Sequence, residues 1–324
     1  MAKIECIVTN LPWESHHKQR LEQAAGGAKI VYIAPSDKAG LSAAMTEATI
    51  ALIMGRPNLA EAPKLKWLHL DAAGLDSIAK PAFIESKVVI TGSAGRSAPA
   101  LSEHIFFFML SHAYQVRTVL KAQAAHEWGY GGQENQKALY EQTLGIIGMG
   151  NTGRALAPMA KAFGMRVIAY SRKAYDNPSV DLMLSEEKAD SIDQLYQESD
   201  YIAMCAALTD KTYHMIGERE IGLMKPTAVI CNVGRGKTID EAALLKALQE
   251  GRIAGAGLDT FDVEPLPKDS PVWDTPNLIA TPHFTPPCPD KLGRSLDIMI
   301  DNILRFLADQ PLKNALTADD LFSK

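Results

Sequence analysis

Residues 143–153 read Thr-Leu-Gly-Ile-Ile-Gly-Met-Gly-Asn-Thr-Gly, an apolar strand pattern running directly into Gly148-Met149-Gly150-Asn151-Thr152-Gly153. Ala155, Leu156, Met159, Ala160 and Phe163 then recur at helical spacing. A strand, a glycine-rich turn and a helix in immediate succession form one arm of a βαβ unit and demand a parallel sheet around them. The three glycines permit a tight turn, close approach of a pyrophosphate, and close packing of helix on strand. The helix N-terminus offers free amides to an anion. A dinucleotide site over Gly148, Met149, Gly150, Asn151, Thr152 and Gly153 is therefore expected.

The next strand ends Val167-Ile168-Ala169-Tyr170, where an acidic residue would follow if a ribose 2′-hydroxyl were recognised. Here Ser171, Arg172 and Lys173 follow. A carboxylate repels a 2′-phosphate, whereas a hydroxyl and two cations hold it. NADP(H) is expected in preference to NAD(H), with NAD(H) still usable.

Around this unit the chain of 324 residues alternates strand-length apolar runs with helical patterns. Strands are predicted at 4–8, 29–33, 50–54, 67–70 and 88–91, then at 144–147, 166–170, 201–205, 228–232, 254–258 and 278–280. Helices are predicted at 14–24, 41–48, 100–117 and 290–308, and the polar stretch 121–140 reads as an excursion. Two such series in tandem predict an α/β protein of two Rossmann-like domains, with doubly wound parallel sheets and an inter-domain cleft. The formal net charge of −5 lacks any basic block, which argues against nucleic acid as a partner. The strongest apolar run, 105–110, is too short to span a membrane, and the N-terminus reads as a strand rather than a signal peptide. Cys6, Cys205, Cys231 and Cys288 form no C-x-x-C pair. Reduced thiols in a cytoplasmic protein are expected, with neither disulfide nor metal.

Three further segments place ionisable residues at strand ends: Asn232-Val233-Gly234-Arg235-Gly236, Gly255-Ala256-Gly257-Leu258-Asp259 with Glu264-Pro265, and Thr281-Pro282-His283. Reducing a 2-oxo acid requires a hydride donor, a proton donor for the carbonyl oxygen and a cation for the carboxylate. Arg235, Glu264 and His283 supply the last two if the fold brings them together.

With these motifs in this order, the chain resembles the D-isomer-specific 2-hydroxyacid dehydrogenase family, its glyoxylate/hydroxypyruvate reductases in particular, nearly end to end. The resemblance implies hydride transfer between NAD(P)H and a small 2-oxo acid to give a D-2-hydroxy acid. It implies that Arg235 binds the substrate carboxylate and carbonyl, that His283 is the general acid, and that Glu264 holds the imidazole and favours its protonated form. Asp259 would lie near the nicotinamide carboxamide, with Asn232, Val233 and Gly234 beside the nicotinamide ribose. Ala206, Ala207 and Thr209 would line the cofactor rim. Ala72, Ala73 and Gly74 would offer backbone amides to the substrate carboxylate. The resemblance further implies a substrate-binding, flavodoxin-like domain of residues 1–98 plus 288–324, a dinucleotide-binding domain of 99–287, and a homodimer formed through 100–140.

The chain departs from the family where Ala207-Leu208-Thr209 replaces Pro-Leu-Thr, which suggests a less rigid rim, and where Phe284-Thr285-Pro286-Pro287-Cys288 replaces a run of small residues. The second departure leaves the substrate side chain open. The remaining histidines, His16, His17, His69, His104, His112, His126 and His214, have no comparable setting and are expected in surface or core roles. The alternative to an enzyme is a nucleotide-sensing, corepressor-like binding protein with little turnover, since fold alone does not fix function.

Overall fold

The computed structural model describes residues 3–324 apart from 130, 133 and 135, so Met1, Ala2 and part of the expected excursion 121–140 lie outside the described residues. The chain divides into two units, Met1–Ser97 with Pro287–Lys324, and Ala98–Pro286. Each boundary falls one residue before the position expected from the sequence.

The first unit carries a parallel sheet of β1 (Cys6–Thr9), β2 (Lys29–Tyr32), β3 (Ile50–Ile53), β4 (Trp67–Leu70) and β5 (Val89–Gly92), in the order β2-β1-β3-β4-β5. β1, β3 and β4 are buried at every position, as a sheet covered on both faces requires. Alternate residues serve opposite faces. Ile7, Ile50, Leu52 and Trp67 pack with Leu21 and with Leu296, Met299 and Ile303 of the last helix, Lys291–Leu307. Val8, Ala51, Ile53 and Leu68 pack with Met45 and Ile78. Asp290 caps the last helix by accepting from the Gly293 amide at 2.9 Å.

The second unit is a seven-stranded parallel sheet: β6 (Thr143–Ile147), β7 (Arg166–Ser171), β8 (Leu182–Ser185), β9 (Tyr201–Met204), β10 (Val229–Asn232), β11 (Gly255–Leu258) and β12 (Leu278–Ala280). Its order is β12-β11-β10-β9-β6-β7-β8. The chain winds outward from β6 in one direction and from β9 in the other, so β6/β9 is the topological switch point, where an open α/β sheet leaves a crevice at the strand carboxyl ends. β8 escapes the sequence reading because its apolar core, Leu182-Met183-Leu184, is only three residues long between Asp181 and Ser185-Glu186.

The helix Ala98–Ala113 lies directly on β11. A methyl group added at Gly257 would sit 2.2 Å from the Phe108 ring, and one at Gly255 would sit 2.4 Å from the His112 ring. The small residues of Gly255-Ala256-Gly257 thus permit this close approach. This helix ends four residues earlier than its periodicity suggests. Gln115 adopts the left-handed conformation (φ 46°), and a second helix, Val116–Ala124, takes over part of the expected polar excursion. Among the described residues, no helix is long and apolar enough to cross a membrane, and all four cysteines are free thiols.

Candidate active site

The glycine-rich turn opens at the end of β6, beside the switch point. Gly148 has φ +98°, its amide donates to the Tyr170 carbonyl at 2.8 Å, and an added Cβ would lie 2.5 Å from the Ala206 amide nitrogen. Gly153 allows the next helix, Asn151–Ala162, to sit on the turn, since a Cβ there would reach the Gly148 carbonyl at 2.3 Å. Gly150 differs from both. A Cβ there would meet nothing within 4 Å, and no side chain caps the helix at this residue. The first amides of that helix therefore face open space left by the missing side chain. An open position at a helix N-terminus is the setting in which a pyrophosphate binds, so the residues present fit a dinucleotide.

The turn is braced from outside. Tyr175 Oη and Arg154 Nε both donate to the Met149 carbonyl, at 2.9 and 3.2 Å, and the Arg154 guanidinium lies 4.9 Å from the centre of the Tyr175 ring. Ser171 closes β7 and donates from Oγ to the Lys173 carbonyl at 2.5 Å, shaping the Ser171-Arg172-Lys173 turn. This turn is not purely basic: Glu187 accepts from the Ala174 amide at 3.1 Å, while Lys211 pairs with Glu186 at 3.0 Å.

Beyond β9, the Ala206–Thr209 rim is tied down by Thr212. Its hydroxyl donates to the Ala207 carbonyl at 2.6 Å and accepts from the Thr209 amide at 2.8 Å. These bonds supply the constraint that the missing proline suggested would be lacking. After β10, Asn232 is 1% exposed and acts as a template. Its Nδ2 donates to the Arg235 carbonyl at 2.9 Å, and its Oδ1 accepts from the Gly234 amide at 2.9 Å. Val233 is buried and Arg235 is half-buried, with Arg235 Nη1 donating to the Gly234 carbonyl at 2.9 Å. Gly236 then packs so tightly that an added Cβ would lie 2.1 Å from the Phe261 carbonyl carbon, which sets the Arg235 turn against the segment leading to Glu264.

Glu264 uses both carboxylate oxygens. Oε1 accepts from the Phe261 amide at 2.9 Å, and Oε2 stands 2.6 Å from His283 Nδ1. A carboxylate at Nδ1 fixes the proton there and leaves Nε2 as the nitrogen that exchanges protons with a ligand. His283 keeps about half of its side-chain surface exposed, and its backbone is left-handed (φ 50°), a state that costs a non-glycine residue roughly 1–3 kcal/mol unless its surroundings hold it. The fold thus joins Glu264 to His283 and packs Gly236, next to Arg235, against the Phe261 segment that leads to Glu264.

Asp259, expected at the cofactor, is 1% exposed and turned into the protein. It accepts from Thr281 Oγ1 at 2.6 Å, the Phe284 amide at 2.9 Å and Thr285 Oγ1 at 3.0 Å. His104 joins this group, with Nδ1 2.8 Å from Thr285 Oγ1 and Nε2 3.2 Å from Thr281 Oγ1. Burial pushes the His104 pKa down, against the opposing pull of Asp259. Sequence reasoning passed over His104, because a histidine on an apolar helix face carries no signal of what lies opposite.

In the first unit, Asp71 precedes the Ala72-Ala73-Gly74 turn and accepts from Ser295 Oγ at 2.7 Å, from Ser93 Oγ at 2.9 Å and from Arg96 Nη1. Burial alone would raise its pKa, but these bonds and the Arg96 charge hold it below the ordinary carboxylate value. The Ala72 carbonyl accepts from the Ser93 amide at 2.8 Å. His69 is fully buried between Thr91 and Ser93, and burial pushes its pKa down to about 4.

A family profile described as "D-isomer specific 2-hydroxyacid dehydrogenase, NAD binding domain" matches residues 106–285, more than half of the chain. The chain belongs to the D-isomer-specific 2-hydroxyacid dehydrogenase family. It is 34% identical to the glyoxylate reductase of Thermococcus litoralis over 82% of this chain and 81% of that one. It is 32% identical to glyoxylate/hydroxypyruvate reductase B of Pectobacterium atrosepticum over 80% of this chain and 81% of that one. A solved D-isomer specific 2-hydroxyacid dehydrogenase from Xanthobacter autotrophicus, in complex with NADPH and MES, superposes with a TM-score of 0.81 at 25% identity, covering 99% of this chain and 100% of the other. As a 2-hydroxyacid dehydrogenase, the protein is a nicotinamide-dependent oxidoreductase of small 2-oxo acids. These relatives do not favour the corepressor-like alternative.

Proposed function

We propose that this dehydrogenase reduces glyoxylate, hydroxypyruvate or a similarly small 2-oxo acid, with NADPH preferred over NADH, and that Arg235, Glu264 and His283 carry the reaction. The observation that carries the reading is the 2.6 Å contact between His283 Nδ1 and Glu264 Oε2, on loops at the carboxyl edge of the dinucleotide-type sheet. The nicotinamide supplies the hydride when bound. His283 donates the proton from Nε2 to the substrate oxygen as charge develops there, while Glu264 keeps the Nδ1 proton in place and orients the ring. Arg235 pairs with the substrate carboxylate. In the unit assigned to substrate binding, the turn Ala72-Ala73-Gly74 offers the amides of Ala73 and Gly74 to a carboxylate, the Ala72 amide already donating to the Leu70 carbonyl at 2.7 Å. Gly148 to Gly153 hold the pyrophosphate, Val233 and Gly234 flank the nicotinamide ribose, and Ala206, Ala207 and Thr209 form the rim.

The preference for NADPH rests on Ser171, Arg172 and Lys173 at the end of β7. A homodimer through 100–140 fits the exposed Phe107 and Tyr114, and a cytoplasmic site fits the four free thiols. The test is oxidation of NADPH and of NADH against glyoxylate, hydroxypyruvate, pyruvate and phenylpyruvate. Higher kcat/KM with NADPH and with the two smallest hydroxy- or hydrogen-substituted acids supports the reading. A tenfold advantage for NADH, or for phenylpyruvate, refutes the corresponding part.

A further inference from the structure

The left-handed backbone of His283 is held from both sides. Thr281, two residues before it, and Phe284 and Thr285, just after it, all donate to the Asp259 carboxylate, at 2.6, 2.9 and 3.0 Å. The two threonine hydroxyls also meet the two ring nitrogens of His104, at 3.2 and 2.8 Å. The imidazole therefore spans the turn from the helix Ala98–Ala113 and lies 3.7 Å from Asp259 Oδ2. Both bridging residues are buried, Asp259 to 1% and His104 to 7% exposure. The His104 ring stacks on Phe108, with centres 4.6 Å apart.

We propose that His104 and Asp259 are positioning residues for the reaction: together they clamp residues 281–285 so that His283 presents Nε2 in a fixed direction. This rests on His283 as the proton donor. A carboxylate and an imidazole buried beside a phenylalanine are costly unless their hydrogen bonds are made. The two hydroxyl hydrogens go to Asp259, and the one N–H of a neutral His104 ring serves one of the two threonine oxygens, so three hydrogens make three of the four close polar contacts. Removing the ring leaves the face of the turn opposite Asp259 without a polar partner. Asp259 alone then holds a backbone that an L-residue adopts reluctantly. Glu264 fixes the ring of His283, whereas His104 and Asp259 fix the turn that carries it. Neither needs to touch the substrate.

Displacements of about 1 Å at a reacting group cost roughly a hundredfold in rate. His104→Leu is accordingly expected to lower kcat for a small 2-oxo acid by about 10- to 100-fold, with the KM for that acid and the Kd for NADPH each within about threefold of wild type. His104→Asn, which can still bond Thr285, should restore most of the loss. Thr285→Val is expected to lower kcat by about three- to tenfold, and it tests the clamp if His104→Leu does not fold. A kcat within twofold of wild type in both His104→Leu and Thr285→Val, alongside a crippled His283→Ala, overturns the positioning role alone. So does a loss that His104→Asn fails to restore. Undiminished turnover in His283→Ala removes the proton-donor reading, and the clamp with it.

Discussion

Replacing Gly150 and Gly148 by alanine, one at a time, separates what the glycine-rich turn does for the fold from what it does for the ligand. Gly150 has an ordinary extended backbone (φ −75°, ψ −154°), and its added Cβ would meet nothing within 4 Å. Gly150→Ala should therefore leave stability unchanged or raise it by about 0.4–1 kcal/mol, through the smaller entropy of the unfolded chain. The same Cβ occupies the space in front of the helix amides, where the pyrophosphate would approach. Losing even one charge-assisted contact costs about 1.5–3 kcal/mol, so the NADPH Kd should rise at least about tenfold. Gly148 is the opposite case. Its φ of +98° disfavours alanine by about 1–2 kcal/mol, and displacing the Ala206 backbone from a 2.5 Å overlap adds about 1–3. For a unit of this size that total lowers Tm by about 5–15 °C. The assay is a thermal melt of each variant with and without NADPH, together with a fluorescence titration of NADPH. A Gly150→Ala protein that binds NADPH as wild type does, or that melts as early as Gly148→Ala, would refute the reasoning.

Ser171→Asp places a carboxylate that would accept a hydrogen bond from a ribose 2′-hydroxyl and repel a 2′-phosphate. The ratio of kcat/KM for NADPH to that for NADH should fall at least about tenfold, and an unchanged ratio would show that this turn does not read the ribose. His69 is neutral when folded down to about pH 4, whereas the unfolded chain protonates it near 6.5. Unfolded protein thus binds more protons between these values, and stability should fall as pH drops from about 6.5 to 4, by up to about 3 kcal/mol. Denaturant unfolding of His69→Gln across that range should show a shallower slope, and the wild-type slope in the variant would contradict the assignment. Arg96→Met leaves Asp71 buried without its cation and should cost about 3–5 kcal/mol, read as a lowered denaturation midpoint.

Much of this architecture could be read from residue order because a buried parallel strand is a short apolar run that little else resembles. β4 and β12 fall at the predicted residues, and most other strand ends lie within one or two positions. What stayed hidden depends on partners distant in sequence or on backbone angles. β8 is an edge strand with too few apolar residues to stand out. The break at Gln115 comes from a left-handed residue with no glycine or proline to announce it. The Glu264–His283 contact could be anticipated, since both residues sit at strand ends of a recognisable motif. The tie from His104 to Thr281 and Thr285 could not, because 177 and 181 positions separate the partners and only the seating of a helix on β11 joins them. Asp259 shows the same limit: its motif is plain, but the sequence does not say that its oxygens turn inward.

The most direct test of the proposed chemistry is the steady-state reduction of glyoxylate or hydroxypyruvate by NADPH with His283→Ala, alongside a titration of NADPH into the same protein. Removing a proton donor should lower kcat by about 10²- to 10⁴-fold while the Kd for NADPH stays near that of wild type. A kcat close to wild type, or a loss of NADPH binding in step with the loss of rate, would contradict His283 as the proton donor.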